Sequence, residues 1–442
     1  MKHLISLPNI LIYVLIFGTM ACTSNTRELT IDDPNGELSE TRAPVSIEVR
    51  LNNALLSAGE NGSLGMLEGP GSGDDNMIPV QLNESAGDGN SEIVLLMPER
   101  QKGSSTFEVM KNESAFDEIM TASVDSKTRQ VIIEENGQKI LQYNYETVHQ
   151  EDVVRLADAR KEEYEHTGVD TFVTASKYAV PRSDYIHPLY GLEGEMLTND
   201  WPEGGHPHHR GIFWAWPEVE YGSKMGDIFA LQKVFARPTG NIRLTNGPVF
   251  AQIVAENLWK WEENDPAENI VREHVIIRVY KATSDTRVID LTIKLEALKD
   301  SVTLATRLTN SYGGLNIRMQ IPKSQNISYH TSSQDSDPVR AWSDFNGIFK
   351  GATGPTGLMV LQHQKNPEYP GEWVEYPDLA WIQPTFPTPN TRYSLSKKEP
   401  LVLRYRLMVY KGDKPGDSIS RQRWDAYHHK VAPDYSFIQE LN

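Results

Sequence analysis

A short cluster of histidines is the part of this 442-residue chain with the most evident capacity for chemistry. Residues 204–216 have the sequence GGHPHHRGIFWAW, in which His206, His208 and His209 come just before Arg210. The cluster contains three of the twelve histidines in the chain. An imidazole can bind a transition metal, exchange a proton near neutral pH or make a structural hydrogen bond. The cluster therefore allows a metal site, an acid/base site or a structural turn.

A second His-Pro pair lies upstream, in the segment DYIHPLYG at residues 184–191. Proline favours extended backbone in the residue before it, so His187 and His206 are expected to be extended. Alternate side chains of an extended segment share a face, so we expect His206 and His208 to point together and His209 to turn away. With His187 they would supply three nitrogens for zinc or non-haem iron. No carboxylate stands at a recognised metal-ligand spacing, so the metal site remains an alternative.

Acid/base chemistry is the interpretation that we favour, because it needs only side chains that titrate near neutral pH. A histidine can accept and return a proton during one turnover, and a neighbouring phenol can assist it. We therefore predict that the catalytic groups are His187, His206, His208 and Tyr185. This chemistry requires no metal and no organic cofactor, and we expect neither. A structural role for the cluster is the opposing interpretation, because histidines beside proline and glycine often belong to turns.

The side chains around the cluster suit an acidic sugar. The guanidinium groups of Arg210 and Arg318 could each hold a carboxylate through two parallel hydrogen bonds. Aromatic rings offer flat faces on which a sugar ring can stack. The remaining predicted substrate contacts are the ring side chains within and just after the cluster, namely His209, Trp214 and Trp216.

The amino-terminal residues have the pattern of a bacterial lipoprotein signal. Lys2 precedes an apolar run at residues 10–17, which is too short to span a membrane. Small residues then lead to Cys22, the only cysteine in the chain. We expect residues 1–21 to be removed and Cys22 to be lipidated, which would anchor the protein in the bacterial cell envelope, at the outer membrane. A plain secretory signal is the alternative.

The charge balance limits the partners that the chain can have. It contains 60 acidic and 43 basic residues, which gives a net charge of −17. A chain this acidic is a poor non-specific ligand of nucleic acid, so we expect no nucleic-acid partner. Its single cysteine excludes a disulfide framework. The expected partners are an oligosaccharide and, through the lipid anchor alone, a membrane.

Strand patterns dominate the chain after the signal. A polar tether is predicted at residues 22–43. Three β-rich runs with glycine-rich loops then predict a small β-domain at residues 44–127. The larger unit covers residues 128–430, where strand patterns outnumber helical ones. Together these patterns predict a mainly β fold, in which a large antiparallel β-sandwich is preceded by a small β-domain.

Local signals inside the larger unit define several of its elements. An Asn-Gly pair at residues 136–137 predicts a hairpin, because both positions of the tight turn need positive φ. Residues 287–298 and 401–410 alternate apolar and polar side chains, as half-buried antiparallel strands do. Helices are predicted at residues 151–168, which are rich in Ala, Glu, Lys and Arg, and at residues 417–430.

Five segments of this unit resemble the PmoA-like family, a bacterial group of unknown function whose members are often called "methane oxygenase PmoA". They are YIHPLYGLEGEMLTNDWPEGGHPHHRGIFWAW, YGGLNIRMQ, RAWSDFNG, LMVLQHQKNPEYPGEW and LVLRYRLMVYKGD. The resemblance covers residues 128–430, and HPHHRG is its most specific part. It implies a galactose-mutarotase-like sandwich and an exported, sugar-related role. It does not imply methane oxidation, because a membrane subunit of that kind needs several spans of about 20 apolar residues.

We expect an exported lipoprotein that acts on saccharides during polysaccharide degradation. The favoured reaction is proton abstraction beside a carbonyl or carboxylate of an oligosaccharide that carries a uronic acid or another oxidised sugar. This class includes lyases, dehydratases and epimerases. One alternative is a glycan-binding accessory lipoprotein without turnover, and another is a metal-dependent hydrolase or oxygenase. A glycosidase is less favoured, because no pair of carboxylates stands out.

Overall fold

A computed structural model describes residues 26–68, 77–83, 91–99, 102–149, 180–202, 206–262, 268–309, 311–330 and 341–428. The chain divides into two compact units, with a boundary between Asp117 and Glu118. Cys22, the signal segment and the helix predicted at residues 151–168 lie outside the described residues. Within the described ranges, none of the helices has the length and apolarity needed to cross a bilayer.

In the described part of the first unit there are two small antiparallel sheets and two short helices. Its strands are β1 (Thr26–Asp33), β2 (Pro44–Val49), β3 (Leu64–Glu68), β4 (Ile78–Pro79), β5 (Gln81–Asn83), β6 (Ser91–Leu96) and β7 (Gly103–Lys111). Its helices are α1 (Glu37–Glu40) and α2 (Asn53–Glu60). The sheet orders are β1-β7-β3-β4 and β2-β6-β5. The three β-rich runs of the sequence form β2, β6 and β7.

The prediction of a polar tether at residues 22–43 is wrong for residues 26–43, because β1 and α1 lie in this segment. Alternation explains the strand, since Leu29 and Ile31 are buried between polar neighbours. Asp33 then accepts hydrogen bonds from the backbone N and the Oγ of Ser39, at 2.9 and 2.6 Å, and so stabilises α1. The mostly polar composition of these residues makes this short alternation hard to recognise in the sequence.

The second unit is built on two eight-stranded antiparallel sheets. The first sheet contains β8 (Met120–Val124), β9 (Val131–Glu135), β10 (Gln138–Asn144), β11 (Tyr185–Leu189), β12 (Ile212–Ala215), β20 (Gly314–Arg318), β24 (Trp373–Tyr376) and β25 (Trp381–Pro384). Its order is β24-β25-β20-β12-β11-β10-β9-β8, so β12 is central and β24 is an edge strand. This is the sheet that carries the histidine cluster.

The second large sheet covers the other side of the core. It contains β15 (Val234–Thr245), β16 (Phe250–Trp261), β17 (Asn269–Tyr280), β18 (Thr286–Ala297), β21 (Lys323–Tyr329), β22 (Trp342–Ile348), β23 (Thr356–Gln362) and β27 (Leu401–Lys411). Its order is β15-β16-β17-β18-β27-β23-β22-β21. A four-stranded sheet joins β13 (Glu218–Tyr221), β14 (Lys224–Gly226), β19 (Val302–Ala305) and β26 (Tyr393–Ser394) in the order β14-β13-β19-β26. Helix α3 (Asp417–His428) closes the described chain.

The local signals of the sequence account for these strands. The Asn-Gly hairpin joins β9 and β10, with φ of 50° at Asn136 and 76° at Gly137. The alternating residues 287–298 form β18, whose Ile289, Leu291 and Ile293 are buried. Residues 401–410 form most of β27, which pairs with β18 along its length. The helix predicted from residue 417 onward is α3.

One continuous apolar core lies between the two large sheets. Ile186 and Ile212 from the first sheet belong to the same buried cluster as Ile277 and Leu291 from the second. Two antiparallel sheets around one core form a β-sandwich, so the predicted mainly β fold is confirmed. The sandwich unit begins at Glu118 rather than at residue 128, because β8 pairs with β9. The finer likeness to galactose mutarotase stays a prediction.

A pair of buried carboxyl groups lies within this sandwich. Asp184 and Glu273 are both buried, and each interacts with the other. Trp214 and Trp259 donate to the two carboxyl oxygens of Glu273, and Tyr143 and Asn257 both donate to Oδ1 of Asp184. Two ionised carboxylates in contact would repel each other in this low-dielectric interior, so the pair favours a shared proton.

This pair should make the stability of the sandwich depend on pH. Burial raises the pKa of Glu273 well above its usual value, and it raises that of Asp184 from 3.8 to about 6. The folded state then holds a proton that the unfolded chain releases. For Asp184 the contribution to the unfolding free energy should therefore be present below the unfolded pKa of 3.8 and be lost as pH rises through about 6, and for Glu273 the loss should continue to higher pH.

Glu273→Gln should flatten this fall, because the amide cannot release the shared proton. Urea unfolding, followed by tryptophan fluorescence across the same pH window, measures the slope for each variant. Glu134→Gln, a partly exposed change in β9, is the matched control and should keep the slope of the unmodified protein. Equal slopes for Glu273→Gln and the control would rule out the shared proton.

Candidate functional site

A tight turn brings the clustered histidines together immediately before β12. The backbone N–H of His209 donates to the carbonyl of His206 at 2.9 Å, which closes a four-residue turn. Pro207 occupies its second position, where the φ fixed by the pyrrolidine ring fits the turn. The chain then enters the central strand of the first sheet, so the turn sits on a rigid frame.

Gly211 allows the chain to pass from this turn into β12. Its φ is +56°, and a Cβ at this position would lie 2.2 Å from the carbonyl oxygen of Ile186 in β11. The backbone N–H of Gly211 donates to Asn199, and its carbonyl accepts from the N–H of Arg318, at 2.8 and 2.9 Å. Only glycine fits this close approach without strain.

The turn places three imidazoles against one another. One ligand nitrogen from each of His206, His208 and His209 lies within 4.8 Å of the other two. The rings of His206 and His209 stack with centroids 4.8 Å apart, and His208 packs edge-on to His209 at 4.7 Å. The expectation that His209 turns away is therefore wrong, because the segment is a turn and not an extended strand.

Aromatic side chains form the inner wall of the cluster. The ring of Phe229 packs edge-on against His208 and His209, with centroids 5.6 and 5.7 Å away. Trp381 lies 5.0 Å from His209. His209 is buried and its Nδ1 has no hydrogen-bond partner among the described residues, whereas His206 and His208 are partly exposed. The cluster is thus accessible on one side and enclosed on the other.

Burial keeps these imidazoles neutral. It lowers the pKa of His208 to about 3, with further contributions from His206 and Arg182. It also lowers the pKa of His209 well below its usual value, and that of His206 to a smaller extent, where the charge of Arg318 adds to the effect. A neutral imidazole has a free lone pair, as a metal ligand requires. It is a poor proton donor, which weakens the acid/base prediction for His206 and His208.

Two buried arginines surround the cluster. Arg182 donates to the carbonyls of Ile228, at 2.9 Å, and Phe229, so it contacts the loop that supplies the inner wall. Arg318 is the last residue of β20 and is buried. The sequence predicted Arg318 but missed Arg182, which lies two residues before the DYIHPLYG segment. Nothing in the sequence linked Phe229 or Trp381 to the histidines, because the contacts span long stretches of chain.

Arg210 and Tyr185 belong to a buried network and not to a substrate pocket. The guanidinium of Arg210 pairs with Asp200, donates to the hydroxyl of Tyr185 and stacks 3.6 Å from the ring centroid of Trp201. Burial raises the pKa of Tyr185 well above its usual value, so this phenol is a poor acid or base. The predicted substrate contact of Arg210 and the catalytic role of Tyr185 are therefore not supported, because both side chains are enclosed.

His187 lies beside this network. Its Nδ1 is 2.9 Å from the Oγ1 of Thr198, and the charged groups that act on it are Asp200 and Arg210. Burial lowers the pKa of His187. The nitrogens within 4.8 Å of one another belong to His206, His208 and His209. We predicted that His187 would be the third member of this group, but His209 takes that position.

The predicted sugar contacts of Trp214 and Trp216 are also wrong, since both indoles lie in the interior. The Nε1 of Trp214 donates to Glu273, and that of Trp216 donates to the carbonyl of Phe386 at 2.7 Å. Trp214 belongs to β12, which has strands on both sides and is buried throughout its length, and Trp216 follows directly after this strand and is buried as well. Aromatic residues at such a central position fill the core.

Comparison with known proteins places the larger unit in a family. The profile described as "Family of unknown function (DUF6807)" matches residues 130–424, which is more than half of the chain. No curated protein matches the chain. The family description does not refer to PmoA, so the PmoA-like resemblance stays a prediction.

Removal of the Asp200 carboxylate should strongly destabilise the sandwich. Asp200→Ala leaves the guanidinium of Arg210 buried without its counter-charge, which costs about 3–5 kcal/mol. Urea unfolding measures this loss. The double change Asp200→Ala with Arg210→Met should recover part of it, because no unpaired charge remains.

Asp300→Ala provides the matched control, because Asp300 is exposed and its ion pair with Lys397 lies at the surface. This variant should unfold like the unmodified protein. If Asp200→Ala were equally stable, the Asp200–Arg210 pair would have no part in holding the turn.

Proposed function

The chain belongs to the DUF6807 family, and we propose that it is a saccharide-active enzyme with a transition-metal centre at His206, His208 and His209. The observation that carries the proposal is the convergence of one nitrogen from each imidazole within 4.8 Å. The leading hypothesis is therefore a metal-dependent enzyme, which the sequence had suggested as an alternative. It replaces an enzyme that relies on histidine acid/base chemistry.

The geometry suits a divalent ion such as zinc. Nitrogens bound to zinc at about 2.1 Å lie about 3.4 Å apart in a tetrahedral site, so modest ring rotations would complete the coordination. Three protein ligands leave a further position for water or substrate, as in catalytic zinc sites. The Nδ1 of buried His209 has no hydrogen-bond partner among the described residues, and a bound ion would explain this.

The charges around the cluster favour an anionic substrate. Among the described residues, the charged side chains that affect the three imidazoles are Arg182 and Arg318. A metal held by neutral ligands beside two guanidinium groups would give a strongly positive pocket. A carboxylate would compensate that charge, which supports the expected uronic acid or oxidised sugar.

The chemistry that follows is proton abstraction beside the carboxylate, in which a water held as hydroxide at the open metal position would accept the proton. A metal ion in this position would polarise the carboxylate and stabilise the negative charge that develops when the neighbouring carbon loses its proton. Arg318 would stabilise the same charge. This reaction class includes the lyase, dehydratase and epimerase of our first hypothesis. Metal-assisted hydrolysis would use the same centre with a bound water.

The cellular setting remains part of the proposal. Removal of residues 1–21 and lipidation of Cys22 would anchor the enzyme in the cell envelope, at the outer membrane. In that location it would meet oligosaccharides released during polysaccharide degradation. The lipid anchor would be its membrane contact, and its net charge of −17 disfavours nucleic acid as a partner.

Elemental analysis of the purified full chain tests the metal centre. We expect about one zinc, iron or copper ion per chain, and retention of this ion through dialysis. His208→Ala and His209→Ala should each lose most of the metal and at least about tenfold in turnover, because either change removes a ligand. Turnover is followed on uronic-acid oligosaccharides by the ultraviolet absorbance of an unsaturated sugar and by new reducing ends.

His149→Ala is the control, because His149 is exposed and belongs to the loop after β10. It should retain both metal and turnover. A full chain that stays free of metal after incubation with each ion would refute the metal centre. Metal without turnover on any acidic glycan would instead favour the accessory glycan-binding role.

A further inference from the structure

A short loop between β14 and β15 supplies the ring that closes the inner side of the histidine cluster. Two hydrogen bonds join its ends, because the backbone N–H of Asp227 donates to the carbonyl of Gln232 at 2.8 Å and that of Gln232 donates back to Asp227 at 2.7 Å. The carboxylate of Asp227 also accepts from the backbone N–H of Ala230 at 2.7 Å. Residues 227–232, which we call the wall loop, therefore form a closed turn of defined shape.

The tip of the wall loop is apolar and buried. Ile228, Phe229 and Leu231 all lie in the interior. Connecting segments usually run over the surface, where water satisfies their backbone polar groups. A buried tip needs protein partners for those groups instead, and neighbouring segments of the sandwich provide them.

Hydrogen bonds fasten the wall loop to the frame of the site. The backbone N–H of Ile228 donates to the carbonyl of Trp216, directly after β12, at 3.1 Å. The guanidinium of buried Arg182 donates to the carbonyls of Ile228, at 2.9 Å, and Phe229. Hydrogen bonds from a charged donor are stronger than those between neutral groups. The backbone that carries Phe229 is therefore held in place.

The side chain of Phe229 packs directly on two of the proposed metal ligands. Its ring centroid lies 5.6 Å from that of His208 and 5.7 Å from that of His209, edge-on in both cases. Phe213 and Tyr312 contact the same ring, with centroids 5.2 and 4.9 Å away. Because Phe229 is itself enclosed in this way, it limits the rotation of the two imidazoles beside it.

Packing takes the place of a hydrogen bond at His209. Histidines that bind a metal usually donate their second ring N–H to an acceptor, which fixes the orientation of the ring. Within the described ranges, the Nδ1 of His209 has no hydrogen-bond partner. Its imidazole is instead surrounded by the rings of His206, Phe229 and Trp381. The orientation of this imidazole therefore depends on its aromatic neighbours.

We propose that Phe229 is a positioning residue that holds His208 and His209 in the orientation needed to bind a metal ion. A ligand set that is already ordered loses little side-chain freedom on binding, so its affinity for the ion is higher. The inference rests on the proposed metal-dependent function. It assigns the support of the metal ligands to a side chain that binds neither the metal nor the substrate.

Competition with a chelator measures the zinc affinity of each full-chain variant. Phe229→Ala should bind zinc about 10- to 100-fold more weakly, which is the loss typical when a residue that supports a metal ligand is removed. Phe229→Leu keeps a large apolar side chain and should stay within about threefold of the unmodified protein. The visible absorption of the cobalt-loaded protein reports ligand geometry, so it should change in Phe229→Ala and persist in Phe229→Leu.

Phe345→Ala is the matched control, because Phe345 is equally buried but belongs to β22 in the second large sheet. It should lose stability in urea as Phe229→Ala does, since both changes leave a cavity. Its zinc affinity and its cobalt spectrum should match those of the unmodified protein. If Phe229→Ala does not fold, Phe229→Val gives the same comparison with a smaller loss of affinity.

Different outcomes would refute the positioning role and the proposed function. If Phe229→Ala, or Phe229→Val in its place, kept the zinc affinity and the cobalt spectrum of the unmodified chain, the positioning role would be refuted, while bound zinc would still support the metal centre. An equal loss of affinity in Phe345→Ala would assign the effect to general destabilisation and would refute the positioning role as well. If the unmodified chain bound neither zinc nor cobalt, the metal centre and the positioning role would both be refuted.

Discussion

The buried ion pair between Asp200 and Arg210 is the interaction on which the geometry of the candidate site depends. It joins the segment before the histidine turn to the residue that follows the turn, and an isolated β-bridge links the same two residues. Stacking on Trp201 and the contact with Tyr185 enclose the guanidinium further. Arg210 has the chemistry of a substrate ligand, but its charge is used to fix the frame of the site. The groups available to a ligand are therefore the imidazoles that this frame presents.

The neutral state of the cluster follows from that enclosure. Imidazoles that are buried beside Arg182 and Arg318 cannot easily gain a proton, so they have free lone pairs and little capacity as acids. The positive charges of Arg182 and Arg318 oppose protonation of the imidazoles. They would also oppose the binding of a metal ion, unless an anion were bound with it. Metal and carboxylate therefore fit the site better together than either does alone, which connects the proposed centre with an acidic substrate.

The parts of the structure that could be predicted from sequence are those determined by local periodicity. The alternation of apolar and polar side chains at residues 287–298 was sufficient to predict β18. The glycine that follows Asn136 was sufficient to predict the turn there. The site depended on information of another kind. Pro207 fits an extended segment and a turn equally well, and only the hydrogen bond from His209 to His206 distinguishes the two. Trp381 joins the site through strand pairing about 170 residues further along the chain, which no local pattern records.

The turn before β12 is held by main-chain hydrogen bonds and by the close approach at Gly211, and the imidazoles extend from it. The backbone scaffold and the proposed set of metal ligands are thus separate parts of the molecule. An engineer could exchange histidine for cysteine or aspartate at positions 206 and 208, where the side chains are partly exposed, and expect the backbone to persist. Softer or harder donors on an unchanged loop would shift ion preference in a chosen direction, so this fold offers a compact frame for designing new metalloproteins.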